Sequence, residues 1–145
     1  MESLFDRAPR LRDINECVAN ASTLAEHLTK LVGGVKVESS IGAHARVSAR
    51  SLVPAVALIL GAGARRLIDR KQSGGLRVKT VETAEGGFSI RFHTPYWGSA
   101  DITHCVSAVA PLLKQDRSWT VTANADCVEL RSNGDRGAAI AVVQA

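Results

Sequence analysis

From Asp13 onward the apolar residues recur every three or four positions. Ile14, Cys17, Val18, Ala21, Leu24, Ala25, Leu28, Leu31 and Val32 predict one amphipathic helix over about residues 13–32. Asp13 followed by Glu16 reads as its capping box, and Gly33-Gly34 as its stop. The period then shortens. VKVESS (35–40) and HARVS (44–48) alternate, as one strand and a short second one or its extension. LRVKTVE (76–82) and FSIRFHT (88–94) alternate again around Gly86-Gly87, which predicts a β-hairpin. A loop, PYWGS, leads into ITHCVSAVAPLLKQ, a further helix for which Asp101 is the expected cap and in which Pro111 predicts a kink or an early end. Three strands close the chain: WTVTA (119–123), CVELRS (127–132) and AAIAVVQ (138–144).

Between these lies PAVALILGAGARRLIDR (54–70), which admits two readings. Leu58 to Gly63 can be a strand entering the glycine turn of a dinucleotide-binding fold, with Glu82 about twenty residues on as the ribose-binding acid. Against this, Arg66 replaces the third glycine. The strand bearing Glu82 also turns straight back, where a parallel sheet needs a crossover helix. No Lys-Ser or Lys-Thr follows the glycines, which excludes a P-loop. As a helix the segment buries Leu52, Val56, Ile59, Leu60, Gly63 and Leu67 on one face, with small residues where another backbone approaches. The helix is the better account. The resulting order predicts an α+β two-layer sandwich, a mixed, mostly antiparallel sheet covered on one face by about three helices. Residues 1–10 show no period and read as a loose arm before a single domain over 11–145.

Composition narrows the function. The chain has 145 residues, 46% hydrophobic and 22% charged, as expected of one globular domain. Its longest apolar run, Leu52 to Ala64, is broken by Pro54 and too short to span a bilayer. With no export signal at the start, the expected location is cytoplasmic and no membrane partner is expected. Cys17, Cys105 and Cys127 are far apart and read as free thiols. A net charge of +4 without interleaved aromatics does not point to nucleic acid.

The arrangement over about residues 11–143 resembles the ATP-binding domain of bacterial histidine kinases and their GHKL relatives. LRDINECVANASTLAEHL resembles the helix opening such a domain, and SARSLVPAVALILGAGARRLI the helix that carries its N box. GGLRVKTVETAEGGFSIRFH resembles the hairpin that follows. The resemblance implies a Bergerat-like fold, and it shows which chemistry is missing. The N-box asparagine, a magnesium ligand, corresponds to Ala62 or Gly63. The acidic residue one turn earlier corresponds to Leu58 or Ile59. The adenine-reading aspartate corresponds to His93 or Thr94, with Gly98 the one glycine left from its box. Pro95 to Ala100 is all that stands where the family has a glycine-rich lid. The expectation is a domain that has lost ATP binding, with no catalytic, cofactor-binding or metal-binding residue. Among its likenesses are the lidless domains of histidine phosphotransferases that assist docking of response regulators. Those proteins also carry a helical hairpin with a phosphoacceptor histidine, for which these residues leave no room.

Function would then rest on contact with another protein. Tyr96 and Trp97 are two of only six aromatics. They sit in the loop replacing the lid, either facing a partner or closing the core over the lost cavity. Arg65, Arg66 and Arg70 form a basic cluster that is either a solvated face or a site for an acidic partner. His27 reads as a surface histidine, although a phosphoacceptor would also need an exposed helical position. His93 and His104 could approach each other across the 94–100 loop, but their spacing is not that of a metal site. An exposed edge strand such as 138–144 could pair with a copy of itself into a homo-oligomer.

Overall fold

The computed structural model describes residues 11–40, 46–48, 52–83, 87–114, 119–123 and 127–132. The chain begins with β1 (Leu11–Asp13), α1 (Ile14–Leu24), α2 (Glu26–Thr29) and a single 3₁₀ turn (Lys30–Val32). Then come β2 (Val35–Ser39), β3 (Arg46–Ser48) and α3 (Leu52–Asp69). The hairpin β4 (Leu76–Glu82) and β5 (Phe88–His93), α4 (Ser99–Lys114), β6 (Trp119–Ala123) and β7 (Cys127–Ser132) complete it. The predicted strand over 138–144 and the arm over 1–10 lie outside the described residues.

Five strands form one sheet in the order β2-β4-β5-β7-β6, with β2 parallel to β4 and the remaining pairs antiparallel. This is the mixed sheet expected. Register explains which face is buried. Val37, Val78, Phe92, Val128 and Ala123 stand abreast across the five strands, and Ser39, Thr80, Ile90, Leu130 and Val121 form the next row. Residues alternating with these rows, such as Arg77, Lys79, Arg91 and His93, are exposed on the other face. The helices cover the apolar face, with α3 packed between α1 and α4. Ile14, Val18, Val56, Ile59, Leu60 and Val109 are almost wholly buried beneath them, each burial worth about 1.5–3 kcal/mol.

Three expectations need correction. Residues 11–13 form a strand paired antiparallel with β3, so the first helix starts at Ile14. That helix is not continuous to residue 32: it breaks at Ala25, whose φ of −95° and ψ of 4° leave the helical basin. Just before the break, the hydroxyls of Ser22 and Thr23 donate to the carbonyls of Val18 and Ala19, a back-bonding that bends helices. Leu24 and Leu31, assigned to the buried stripe by periodicity, are consequently exposed. Pro111 does not end its helix, which runs on to Lys114 with the proline on the exposed side.

The predicted stop at Gly33-Gly34 holds. Gly33 has φ +103°, and a Cβ there would lie 2.5 Å from the Ser73 carbonyl oxygen, so only glycine lets the two crossings meet. The α3 helix closes with Gln72 N–H donating to the Leu67 carbonyl and Lys71 N–H to that of Ile68, a Schellman motif with Lys71 in the left-handed position.

Candidate functional site

The segment 54–70 is helical throughout its first sixteen residues, so Leu58 to Gly63 is not a strand-to-helix turn and the dinucleotide reading falls. One face of α3 (Ala55, Val56, Ile59, Leu60, Gly63, Ala64, Leu67) is buried on the sheet. The other, with Leu58, Gly61, Ala62, Arg65 and Asp69, is the floor of a groove of about 750 Å³. Leu24, His27 and Leu28 line one wall, and Trp97, His104 and Cys105 the other.

This geometry separates the two pairs of residues that the sequence left open. Leu58 and Ala62 face the groove, whereas Ile59 and Gly63 face the core. A Cβ on Gly63 would stand 3.1 Å from Leu76 Cδ2, so the glycine permits close packing of α3 on β4. Of the two alternatives, Leu58 and Ala62 are thus the groove-facing pair. Neither offers an oxygen to a hard cation. Of the carboxylates lining the groove, Asp101 is already engaged. Among the described residues no cluster of three metal-ligating side chains exists. The residues present do not fit magnesium.

The loop between β5 and α4 brings together two features that the sequence left separate. Asp101, on the first turn of α4, accepts from Gly98 N–H at 2.8 Å and forms an ion pair with Arg66 of α3. The Arg66 hydrogen bond first, and then the Gly98 N–H, hold the Asp101 carboxyl below its ordinary range. The same bond raises Arg66. Arg70 lies 5.8 Å from the centre of the Tyr96 ring, a cation–π contact. Tyr96 has φ +72°, a strained value for a bulky residue, and its ring remains about half exposed. Trp97 turns inward to 7% exposure and walls the groove. The aromatic pair therefore divides: Trp97 closes the core, and Tyr96 stays at the surface. The basic cluster divides too. Arg66 and Arg70 hold the loop, while Arg65 is exposed on the groove floor with no salt-bridge partner among the described residues.

His93 and Thr94 do not reach the groove. They line a small cavity of about 10 Å³ beneath α3 with Ile59, Gly63 and Leu76. His93 is exposed on the far face of the sheet, away from His104, which excludes a shared site. Thr94 is buried, and its hydroxyl finds no hydrogen-bond partner among the described residues. Gly98 serves as a backbone donor to Asp101 and is exposed. His27 is exposed on α2 at the groove wall. Cys17 and Cys105 are buried and Cys127 half-buried, each a thiol outside any disulfide. Burial pushes the Cys105 thiol up to about 11, which keeps it protonated and unreactive. Among the described residues no helix is long and apolar enough to cross a membrane.

Sequence reasoning missed the Arg66–Asp101 link and the wall formed by Leu24, His27 and Leu28. The first joins residues 35 apart, and no local signal carries such a distance. The second depends on the break at Ala25.

No protein-family model matches the chain, and no curated protein does. Solved structures do. The Acinetobacter baumannii histidine kinase AdeS superposes with TM-score 0.66 at 12% identity, covering 92% of this chain and 72% of that one. The Erythrobacter litoralis EL346 blue-light activated histidine kinase gives TM-score 0.58 at 10% identity over 86% of this chain, which spans 43% of that protein. The catalytic domain of histidine kinase ThkA, in a nucleotide-free form, gives 0.57 at 9% identity, covering 84% of this chain and 92% of that domain. The helix that carries the groove, the hairpin behind it and the shortened loop beside it are therefore built on the fold of a histidine-kinase ATPase domain.

Proposed function

We propose that this chain is a histidine-kinase ATPase-like domain that has given up ATP binding and works in two-component signalling through protein–protein contact. The observation that carries this reading is the groove floor. Leu58 and Ala62 stand where magnesium ligands would be, and Trp97 takes space beside them in place of a flexible lid. With no oxygen donor at Leu58 or Ala62 to hold a magnesium ion, the triphosphate keeps its full charge, and one exposed arginine, Arg65, does not balance it. The surface next to the groove suits a protein partner. Tyr96 presents an amphipathic ring, Arg65 a free guanidinium, and the Arg66–Asp101 pair fixes their setting. A response regulator is the class of partner this reading favours.

Isothermal titration of the purified chain with ATP–Mg²⁺ tests it. No saturable heat is expected up to about 1 mM nucleotide. Binding at micromolar concentration overturns the reading. One observation favours a second account: a 750 Å³ groove has the dimensions of a small-molecule site. A nucleotide bound there without metal, in a phosphorelay protein that still handles phosphate, would titrate equally well in EDTA.

A further inference from the structure

Two like-charged pairs stand side by side on the sheet face opposite the helices. Lys79 of β4 is directly opposite Arg91 of β5 in the antiparallel pairing, and Lys36 of β2 is the register partner of Arg77 of β4. All four residues are exposed. Like charges directly opposite each other on one sheet face are destabilising. The nearby carboxylates do not relieve them. Glu38 is the register partner of Lys79, yet the two form no ion pair. Glu129 meets Arg91 only at Nε, 3.5 Å away, and the same Oε2 accepts the Ser89 hydroxyl. Arg77, Lys79 and the terminal nitrogens of Arg91 therefore have no hydrogen-bond or ion-pair partner among the described residues.

Arg77, Lys79, Arg91 and His93 line a depression of about 130 Å³, with Glu38 its one carboxylate among the described residues. That is room for about four water volumes, enough for one phosphate group and too little for a nucleoside. Nucleic-acid bases would also find no ring to stack on, because Phe88 and Phe92 of β5 pack toward the core. We propose that this depression binds a phosphate dianion, free or as the phosphate group of a small ester, between Arg77, Lys79 and Arg91. The two guanidinium groups present planar forks that match phosphate oxygens, and the Lys79 ammonium adds a third donor group. An anion seated there offsets the Lys79–Arg91 repulsion, so binding also stabilises the folded sheet. The depression lies across the sheet from α3, and the inference stands apart from the reading of the groove.

Titration of the full chain with sodium phosphate at about pH 8, where the dianion dominates, tests this by heteronuclear NMR. Ionic strength is held constant with chloride. Amide shifts centred on residues 77–79 and 91–93 are expected, saturating with a dissociation constant of about 1–10 mM. Phenyl phosphate is expected to bind within about threefold of inorganic phosphate, because the depression holds the phosphate group alone. Arg77→Gln and Arg91→Gln each weaken binding about threefold to tenfold. Glu38→Gln tightens it. Lys114→Gln, which removes the same charge from an exposed position at the end of α4, leaves it unchanged. All these positions are exposed, and circular dichroism confirms that the variants keep their fold. Shifts that fail to saturate by about 50 mM phosphate overturn the proposal. So do shifts centred on the groove, binding of the ester alone, or a loss with Lys114→Gln as large as with Arg77→Gln.

Discussion

Thr94 buries a hydroxyl that no described residue satisfies. An unpaired buried hydroxyl costs about 1–3 kcal/mol, and valine has nearly the same shape. Thr94→Val is therefore expected to raise stability by about 1 kcal/mol in urea unfolding. An unchanged midpoint would mean that water in the neighbouring 10 Å³ cavity already serves the hydroxyl. At this scale the sequence was legible for residue types, and less so for where each side chain points. Leu58 and Ala62 could be named as non-ligands from their residue types alone. That His93 faces the opposite side of the sheet required the β5 register, and the inward turn of Trp97 beside an outward Tyr96 required the loop's backbone.

The helix α3 shows what pattern can and cannot fix within an element. Its apolar spacing distinguished it from a strand. The separate roles of its two glycines were not readable. A Cβ on Gly61 would meet Leu28 Cδ1 at 3.8 Å, an ordinary contact, whereas Gly63 is crowded by Leu76 at 3.1 Å. Gly61→Ala should stabilise by about 1 kcal/mol through helix propensity, and Gly63→Ala by clearly less or not at all. Chemical denaturation of both variants reads the difference, and equal gains would show that α3 does not press on β4. The hairpin β4–β5 was legible because it is local. The break at Ala25 was not, because nine apolar residues in period outweigh two hydroxyls in any pattern count. Those hydroxyls bend the helix only through bonds to its own carbonyls.

Across the whole molecule, element order was enough to indicate a helical layer on a mixed sheet, since each strand and helix needs a partner for its apolar face. Links between distant residues were hidden, and Arg66–Asp101, joining α3 to α4, is the clearest case. It predicts an acid dependence of global stability. The folded Asp101 holds its charge to a pH below the ordinary 3.8. Its stabilisation is therefore full above about 3.8 and lost as pH falls through the lower folded value. Asp101→Asn should melt below wild type at neutral pH, with the gap closing as pH falls below about 3.8. A gap that persists at the acid end would contradict this. Trp97, introduced as a wall of the groove, has one more consequence. It is one of two tryptophans, and Trp119 lies in β6, outside the groove lining. Replacing Trp119 with phenylalanine leaves a single indole, placed where an occupant would arrive. The protein then carries its own fluorophore, and its emission can report occupancy without a label.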